Sequence, residues 1–216
     1  YSGQCFFCCA FLQYVKNKSV RQQNVEMWAN VDRDMACTLA DNLGVDRPKG
    51  SHVPVIKSSP SISQLNTPHL AYTQNLGVLI ANGFNGAEVK NTLHFLEQNG
   101  VFMDIISEKL GTVTGNDGTT IKVNETFLTK YPVLYDSLYI VGGRAENQAK
   151  FESDIKEFIA MAYKHYKPIG LATTAQHFLK TSGKNNLAGV IFATNNPNFG
   201  REFVTAIAKH RFWDRT

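Results

Sequence analysis

Leu76-Gly77-Val78-Leu79-Ile80-Ala81 runs directly into Asn82-Gly83-Phe84-Asn85-Gly86-Ala87-Glu88-Val89. The first six residues are apolar on both faces of any strand they form, as a parallel strand covered by helices must be. The Gly-rich turn opens an amphipathic helix carrying Val89, Leu93 and Leu96 and stopping at Gly100. Strand, turn and helix in this order read as the first βα unit of a doubly wound sheet. Ligands of such sheets bind at the carboxyl edge, beside that turn. Glu88, in the first helical turn, is therefore the first candidate site residue.

Downstream the alternation continues. Val101-Phe102-Met103-Asp104-Ile105-Ile106 is a second strand. Thr112-Val113-Thr114 and Thr119-Thr120-Ile121-Lys122-Val123 flank Gly115-Asn116-Asp117-Gly118, a hairpin on Asp-Gly chemistry. Ser137-Leu138-Tyr139-Ile140-Val141 is the third long strand, closed by Gly142-Gly143. A long helix then carries Phe151, Ile155, Phe158, Ile159, Ala162, Tyr163 and Tyr166 on one face. Pro168 to Ala172 reads as a fourth strand, Thr173 to Leu179 as a short helix and Val190 to Ala193 as a fifth strand. The last helix bears Phe203, Ile207 and His210. Five βα-type units in residues 76–216 predict a flavodoxin-like α/β domain, with three layers and a doubly wound, mostly parallel sheet.

Upstream the composition changes. Residues 46–75 hold Pro48, Pro54, Pro60 and Pro68 among serines, four of the seven prolines of the chain, and predict an extended linker. Residues 19–44 read as helical, with Ser19 as cap, a stripe of Val25, Trp28, Val31, Met35, Leu39 and Leu43, a kink near Asn30 and a stop at Gly44. That stripe needs a partner surface. Cys5 to Leu12 is an apolar run without period. Cys5-Phe-Phe-Cys8 has metal or redox spacing, but no second Cys/His pair follows nearby, so buried or unpaired thiols and no metal are expected.

The 216 residues suffice for one domain and a smaller appendage. A net charge of +4 without Lys/Arg runs points away from nucleic acid. No apolar run reaches the roughly 18 residues of a membrane helix. All four cysteines lie within the first 37 residues, so disulfides do not hold the main body. Asn17-Lys18-Ser19 and Asn124-Glu125-Thr126 are sequons that matter only in a secreted protein; a cytoplasmic location is the expectation and a secreted one the alternative. The chain opens on Tyr1 rather than Met, as a fragment, processed product or excised domain would.

Longer stretches carry a resemblance. Leu110-Gly-Thr-Val-Thr-Gly-Asn-Asp-Gly-Thr-Thr120, Thr126-Phe-Leu128, Tyr135-Asp-Ser-Leu-Tyr-Ile-Val-Gly-Gly143 and Phe158-Ile-Ala-Met-Ala-Tyr-Lys-His-Tyr-Lys-Pro-Ile-Gly170 resemble the carboxyl-terminal domain of large-subunit haem catalases. Asn30-Val-Asp-Arg-Asp-Met-Ala36 and Leu39-Ala-Asp-Asn-Leu-Gly44 are similar to the end of the catalase helical region. The resemblance makes residues 1–45 a helical tail of the catalase core, 46–75 the connector and 76–216 the appended domain. Residues 1–15 do not match, as a frameshift or intron read-through would explain.

The resemblance implies a parent that is a homotetrameric haem enzyme dismuting hydrogen peroxide to water and oxygen. Its haem residues lie upstream, so this chain is expected to hold no cofactor and no catalase activity, and Tyr72 and His94 are not candidates. Its partners would be the core of the same polypeptide and neighbouring subunits, or unfolded client proteins if the domain acts as a holdase. The appended domain also resembles the class I glutamine amidotransferase-like superfamily. Its enzymes, proteases and deglycases among them, place a Cys on a strained strand-to-helix elbow near a Glu of the first βα turn. Glu88 matches that Glu, and Thr173, within Gly170-Leu-Ala-Thr-Thr-Ala175, stands where the Cys would be. No Cys follows Cys37. Catalysis by Thr173 or Thr174 would need His177, one turn on, as base. The plainer expectations are that Thr173 or Thr174 caps the short helix, that His177 is a partly exposed helix residue and that Glu88 complements the helix dipole. Gly142-Gly143-Arg144 is a candidate anion site, but no P-loop or GxGxxG pattern supports a flavin.

Overall fold

The computed structural model describes residues 9–50, 59–61, 67–143, 149–180 and 186–215. Two compact units emerge, Tyr1–Thr67 and Pro68–Thr216. The Cys5-x-x-Cys8 pair and Arg144 lie outside the described residues.

In the first unit, α1 (Lys18–Ala29) and α2 (Arg33–Leu43) pack against each other. Asn17, not Ser19, caps α1: its side chain accepts the Ser19 N–H at 2.9 Å, one residue pair earlier than the pattern predicted. The chain breaks after Ala29 because Asp32 is extended and its carboxylate accepts the Met35 N–H, which starts a fresh helix. Gly44, at φ 63°, ends α2 in the left-handed conformation. Val25, Met35, Leu39 and Leu43 are buried between the helices, so the pair supplies its own partner surface. Val31 leaves the predicted stripe and is exposed, since it sits in the break. Cys9 and Leu12 pack on the same cluster from a helical turn over residues 9–12.

The second unit has a six-stranded parallel sheet with helices around it and a separate two-stranded hairpin. Its elements are β1 (Asn75–Ile80), α3 (Gly86–Gln98), β2 (Phe102–Ser107), β3 (Gly111–Thr114), β4 (Thr120–Val123), β5 (Glu125–Thr126), β6 (Ser137–Gly142), α4 (Ala149–Lys164), β7 (Ile169–Leu171), α5 (Gln176–Lys180), β8 (Val190–Phe192) and α6 (Phe199–Lys209). The sheet order is β5-β2-β1-β6-β7-β8, every pairing parallel. Counted in chain order, the five longer strands run 2-1-3-4-5, the flavodoxin-like order. The sixth, two-residue β5 went unread in the sequence. It is too short to show a period and forms only because Ile106 and Ser107 offer it an edge.

Side-chain alternation puts helices on both faces. Tyr139 of β6 meets the rings of Phe199 and Phe203 on α6. Gly142, on the opposite parity, lies under Phe178 of α5. Phe127 joins Phe151 and Phe158 of α4 in edge-on contacts. Two sequence readings move. Tyr166 lies beyond the end of α4 at φ 59° and packs at a tilt against Trp213. His210 is the C-cap of α6 at φ 67°, its ring 3.3 Å from Asp136, rather than part of the helical stripe. The β3–β4 hairpin forms as predicted, but as a separate antiparallel pair spanning a five-residue loop, with Gly118 at φ 81°.

Candidate functional site

The site region lies at the carboxyl ends of β1, β6 and β7. Its first wall is the turn after β1, and the β3–β4 hairpin fills it. The Gly83 N–H donates to the Thr114 carbonyl at 2.7 Å, and the Asn116 N–H donates to the Phe84 carbonyl at 2.8 Å. The Asn82 side chain accepts the Thr114 N–H. Gly86 has no Cβ because none fits: one built there would stand 2.2 Å from an Asp117 carboxylate oxygen and 2.4 Å from the Thr119 hydroxyl. The Asp117 carboxylate accepts from Thr119 and from the Ala87 N–H, which together hold its pKa below the usual carboxylate range. Asn85 accepts the Glu88 N–H at 3.2 Å. The positive end of α3, where a doubly wound fold holds phosphate, is thus met by the protein's own Asp117 and Asn85. In the sequence Asp117 reads only as a turn residue. The pairing of Asp-Gly with a second Gly at position 86 was the available signal.

The second wall is the turn after β7. Glu88 sits at the third position of α3, partly exposed, and its Oε1 accepts the Thr173 N–H at 2.9 Å across 85 residues of sequence. The two positions matched to the amidotransferase-like site therefore do meet. They meet through the backbone, and the arrangement caps rather than activates. Neither Thr173 nor Thr174 caps the helix with its own side chain, contrary to the sequence expectation. Glu88 does so from α3, whose strand β1 is separated from β7 by β6, satisfying a helix-start N–H. The Thr174 hydroxyl donates to the Val141 carbonyl at 2.9 Å. His177 is exposed, with Nδ1 3.1 Å from the Thr174 carbonyl, so that nitrogen carries the proton and donates. Its hydrogen bond is to backbone and its ring lies against Phe178, so neither contact involves the Thr173 hydroxyl.

The turn is also relaxed. Ala172 is extended at φ −62°, and the non-glycine residues with positive φ among those described are Thr73, Tyr166, Asn195 and His210. The strained nucleophile elbow that the superfamily resemblance implies is therefore not formed at Thr173. A groove of about 440 Å³ opens beside Glu88, between α3 and the start of α6, lined by Asn91, Thr92, Phe95, Asn196, Phe199 and Arg201 among others. Asn196 is committed to the Phe192 carbonyl and Glu202. Under the groove the Tyr139 hydroxyl is buried, which pushes its pKa up; the Thr92 side chain opposes that rise and the Glu88 charge adds to it. Among the described residues, no three His, Cys, Asp or Glu side chains are grouped to hold a metal ion.

Comparison with known proteins agrees with this architecture. Residues 72–216 match the C-terminal domain found in long catalases. The chain is 40% identical over 201 residues to a catalase of Alkalihalophilus pseudofirmus, covering 93% of this chain and 30% of that protein. It is 38% identical over 212 residues to catalase-2 of Bacillus subtilis, covering 96% and 30%. A shorter similarity, 29% over 105 residues, covers 49% of this chain and 63% of a deglycase of Pyrococcus horikoshii. The chain thus spans less than a third of the length of the two catalases. With the six-stranded parallel sheet, its 2-1-3-4-5 core and a match reaching from Tyr72 to Thr216, this chain belongs to the C-terminal domain family of long catalases.

Proposed function

We propose that this chain is the carboxyl-terminal part of a haem catalase, an enzyme that converts hydrogen peroxide to water and oxygen, and that its α/β domain serves that enzyme as a non-catalytic structural part stabilising a homotetramer. The observation that carries the second half is the bond between Glu88 and the Thr173 N–H. It spends the one matched catalytic carboxylate on the backbone of a turn that has no thiol. The reading leaves haem chemistry to the rest of the parent polypeptide. Purified with added haem, the chain is expected to show no Soret band that survives gel filtration and no peroxide turnover. A retained Soret band would overturn the haem-free assignment.

The deglycase similarity supports a second reading, an enzyme using Glu88 with Thr173 or His177. The hydrogen bonds already described oppose it. Glu88→Ala is expected to lower stability in urea unfolding by about 1 kcal/mol, the usual worth of a helix cap, and to abolish no hydrolase or deglycase turnover because none precedes it. Turnover in the native chain that disappears in Glu88→Ala would establish the enzyme.

A further inference from the structure

Four large apolar side chains stand out to solvent within seven residues: Leu128 at 76% exposure, Tyr131 at 60%, Val133 at 74% and Leu134 at 51%. They follow β5 and run through a short 3-10 turn, Pro132–Leu134. Met161, also exposed, belongs to α4, the helix packed against this turn. Soluble monomers seldom present so many apolar groups together unless something covers them.

The backbone beneath is fixed. Phe127 is wedged against Phe151 and Phe158. Thr129 and Lys130 N–H groups donate to the Thr126 carbonyl. The Lys130 ammonium lies 3.3 Å from both Asp104 and Glu125, which neutralise it. Pro132 and Tyr135 are buried, and the buried Lys167 ammonium donates to the carbonyls of Pro132, Val133 and Tyr135. Inward anchors thus alternate with outward apolar groups, so the segment holds its apolar side chains outward on a braced backbone. Ordering the surface beforehand lowers the entropy cost of docking.

Where the segment lies identifies the occupant. It ends at Asp136, whose carboxylate accepts the Asn75 N–H and whose own N–H donates to the Asn75 carbonyl. Asn75 is the first residue of β1, so the segment, which leaves β5 beside the carboxyl end of β2, runs down to the end of the sheet by which the polypeptide enters the domain. Some 70% of the length of the matched catalases falls outside this chain. A tethered partner at that entry point has a high effective concentration.

We propose that the surface formed by Leu128, Tyr131, Val133, Leu134 and Met161 docks the remainder of the catalase polypeptide. This rests on the reading of the chain as part of a longer catalase. Hydroxyl-radical footprinting of the isolated chain and of the intact parent polypeptide tests it. Oxidation at Leu128, Tyr131, Val133 and Leu134 is expected to fall roughly fivefold or more in the parent, since a packed interface excludes water. Leu128→Asp with Val133→Asp in the parent is expected to restore it at Tyr131 and Leu134. Equal oxidation in chain and parent overturns the proposal. So does protection in the isolated chain that rises with its concentration, the mark of a second copy, or protection conferred by a heat-denatured client protein. A parent that turns over peroxide while leaving the four positions reactive sinks the docking surface and spares the catalase reading. A parent without peroxide turnover sinks that reading and this inference with it.

Discussion

Phe203→Ala is expected to lower the stability of the α/β domain by about 3–5 kcal/mol, the range for truncating a fully buried aromatic residue. Phe203 is completely buried. Its ring stacks on Phe199 at 5.6 Å and tilts against Tyr139 at 6.0 Å. On its far side it rests on the backbone of β7: a Cβ at Gly170 would come within 2.8 Å of the ring. The neighbours are a strand backbone and two anchored rings, so the cavity cannot collapse. Urea unfolding measures the loss, and a value below about 2 kcal/mol would mean that the site relaxes after all. The same contact predicts coupling. Gly170→Ala alone overpacks the interface, at about 1–3 kcal/mol. In the Phe203→Ala background it should cost little, since the atoms it strikes are gone, and a double-mutant cycle reads the difference.

The second large effect is a pH dependence written by Lys167. The residue is 6% exposed, and its ammonium donates to the carbonyls of Pro132 at 3.0 Å, Val133 at 3.5 Å and Tyr135. Among the described residues, none of its hydrogen bonds goes to a carboxylate. Burial, then the nearby Arg211 charge, bring its pKa down from 10.5 to about 8, while Asp136 pulls weakly the other way. Between these two values the unfolded chain binds more protons than the folded one, so stability rises with pH. The cost of burying the charge is fully present below pH 8 and is relieved as the pH climbs towards 10.5. Unfolding free energy should therefore gain about 2 kcal/mol between about pH 7.5 and pH 9.5. The gain should be missing in Lys167→Met. That variant is less stable at every pH where it folds, because three carbonyls lose their donor. Tyr135 and Tyr139 work in the opposite sense, and later. Burial raises both phenols above their usual 10.0, so they withdraw stability only as the pH passes that value. Urea midpoints below pH 9.5 isolate the lysine. A flat or falling midpoint in the native chain would show that Lys167 stays solvated.

Much of the fold was legible because it is local. The apolar run Leu76 to Ile80, the Gly-rich turn and the 3.6-residue stripe of Val89, Leu93 and Leu96 state a βα unit in fewer than thirty residues. Repeated five times, that pattern leaves few sheet orders open. Strand limits moved by a residue or two. Ser19 lost its cap to Asn17 because either side chain can close the same turn, and the one whose backbone stays extended does so. The site was legible only as a set of positions. Glu88 and Thr173 were paired through a resemblance, and the composition of the chain removed the thiol between them.

By itself, then, the sequence determined the order of strands and helices, the faces that become core and the absence of a cysteine at the β7 turn, since each is a property of neighbouring residues or of composition. The tertiary structure alone decided what the polar groups do. Glu88 caps a turn 85 residues away, Asp117 closes the start of α3, and Lys167 braces the Pro132–Tyr135 segment. Each of these bonds joins groups from separate elements, and a donor has no address for its acceptor until the sheet has brought them together. The turn after β1 reads in sequence as the lip of a binding site. Folded, it is closed by the protein's own Asp117 and Asn85, while Glu88 reaches across to the Thr173 N–H, because the backbone donors that attract a ligand attract these side chains first.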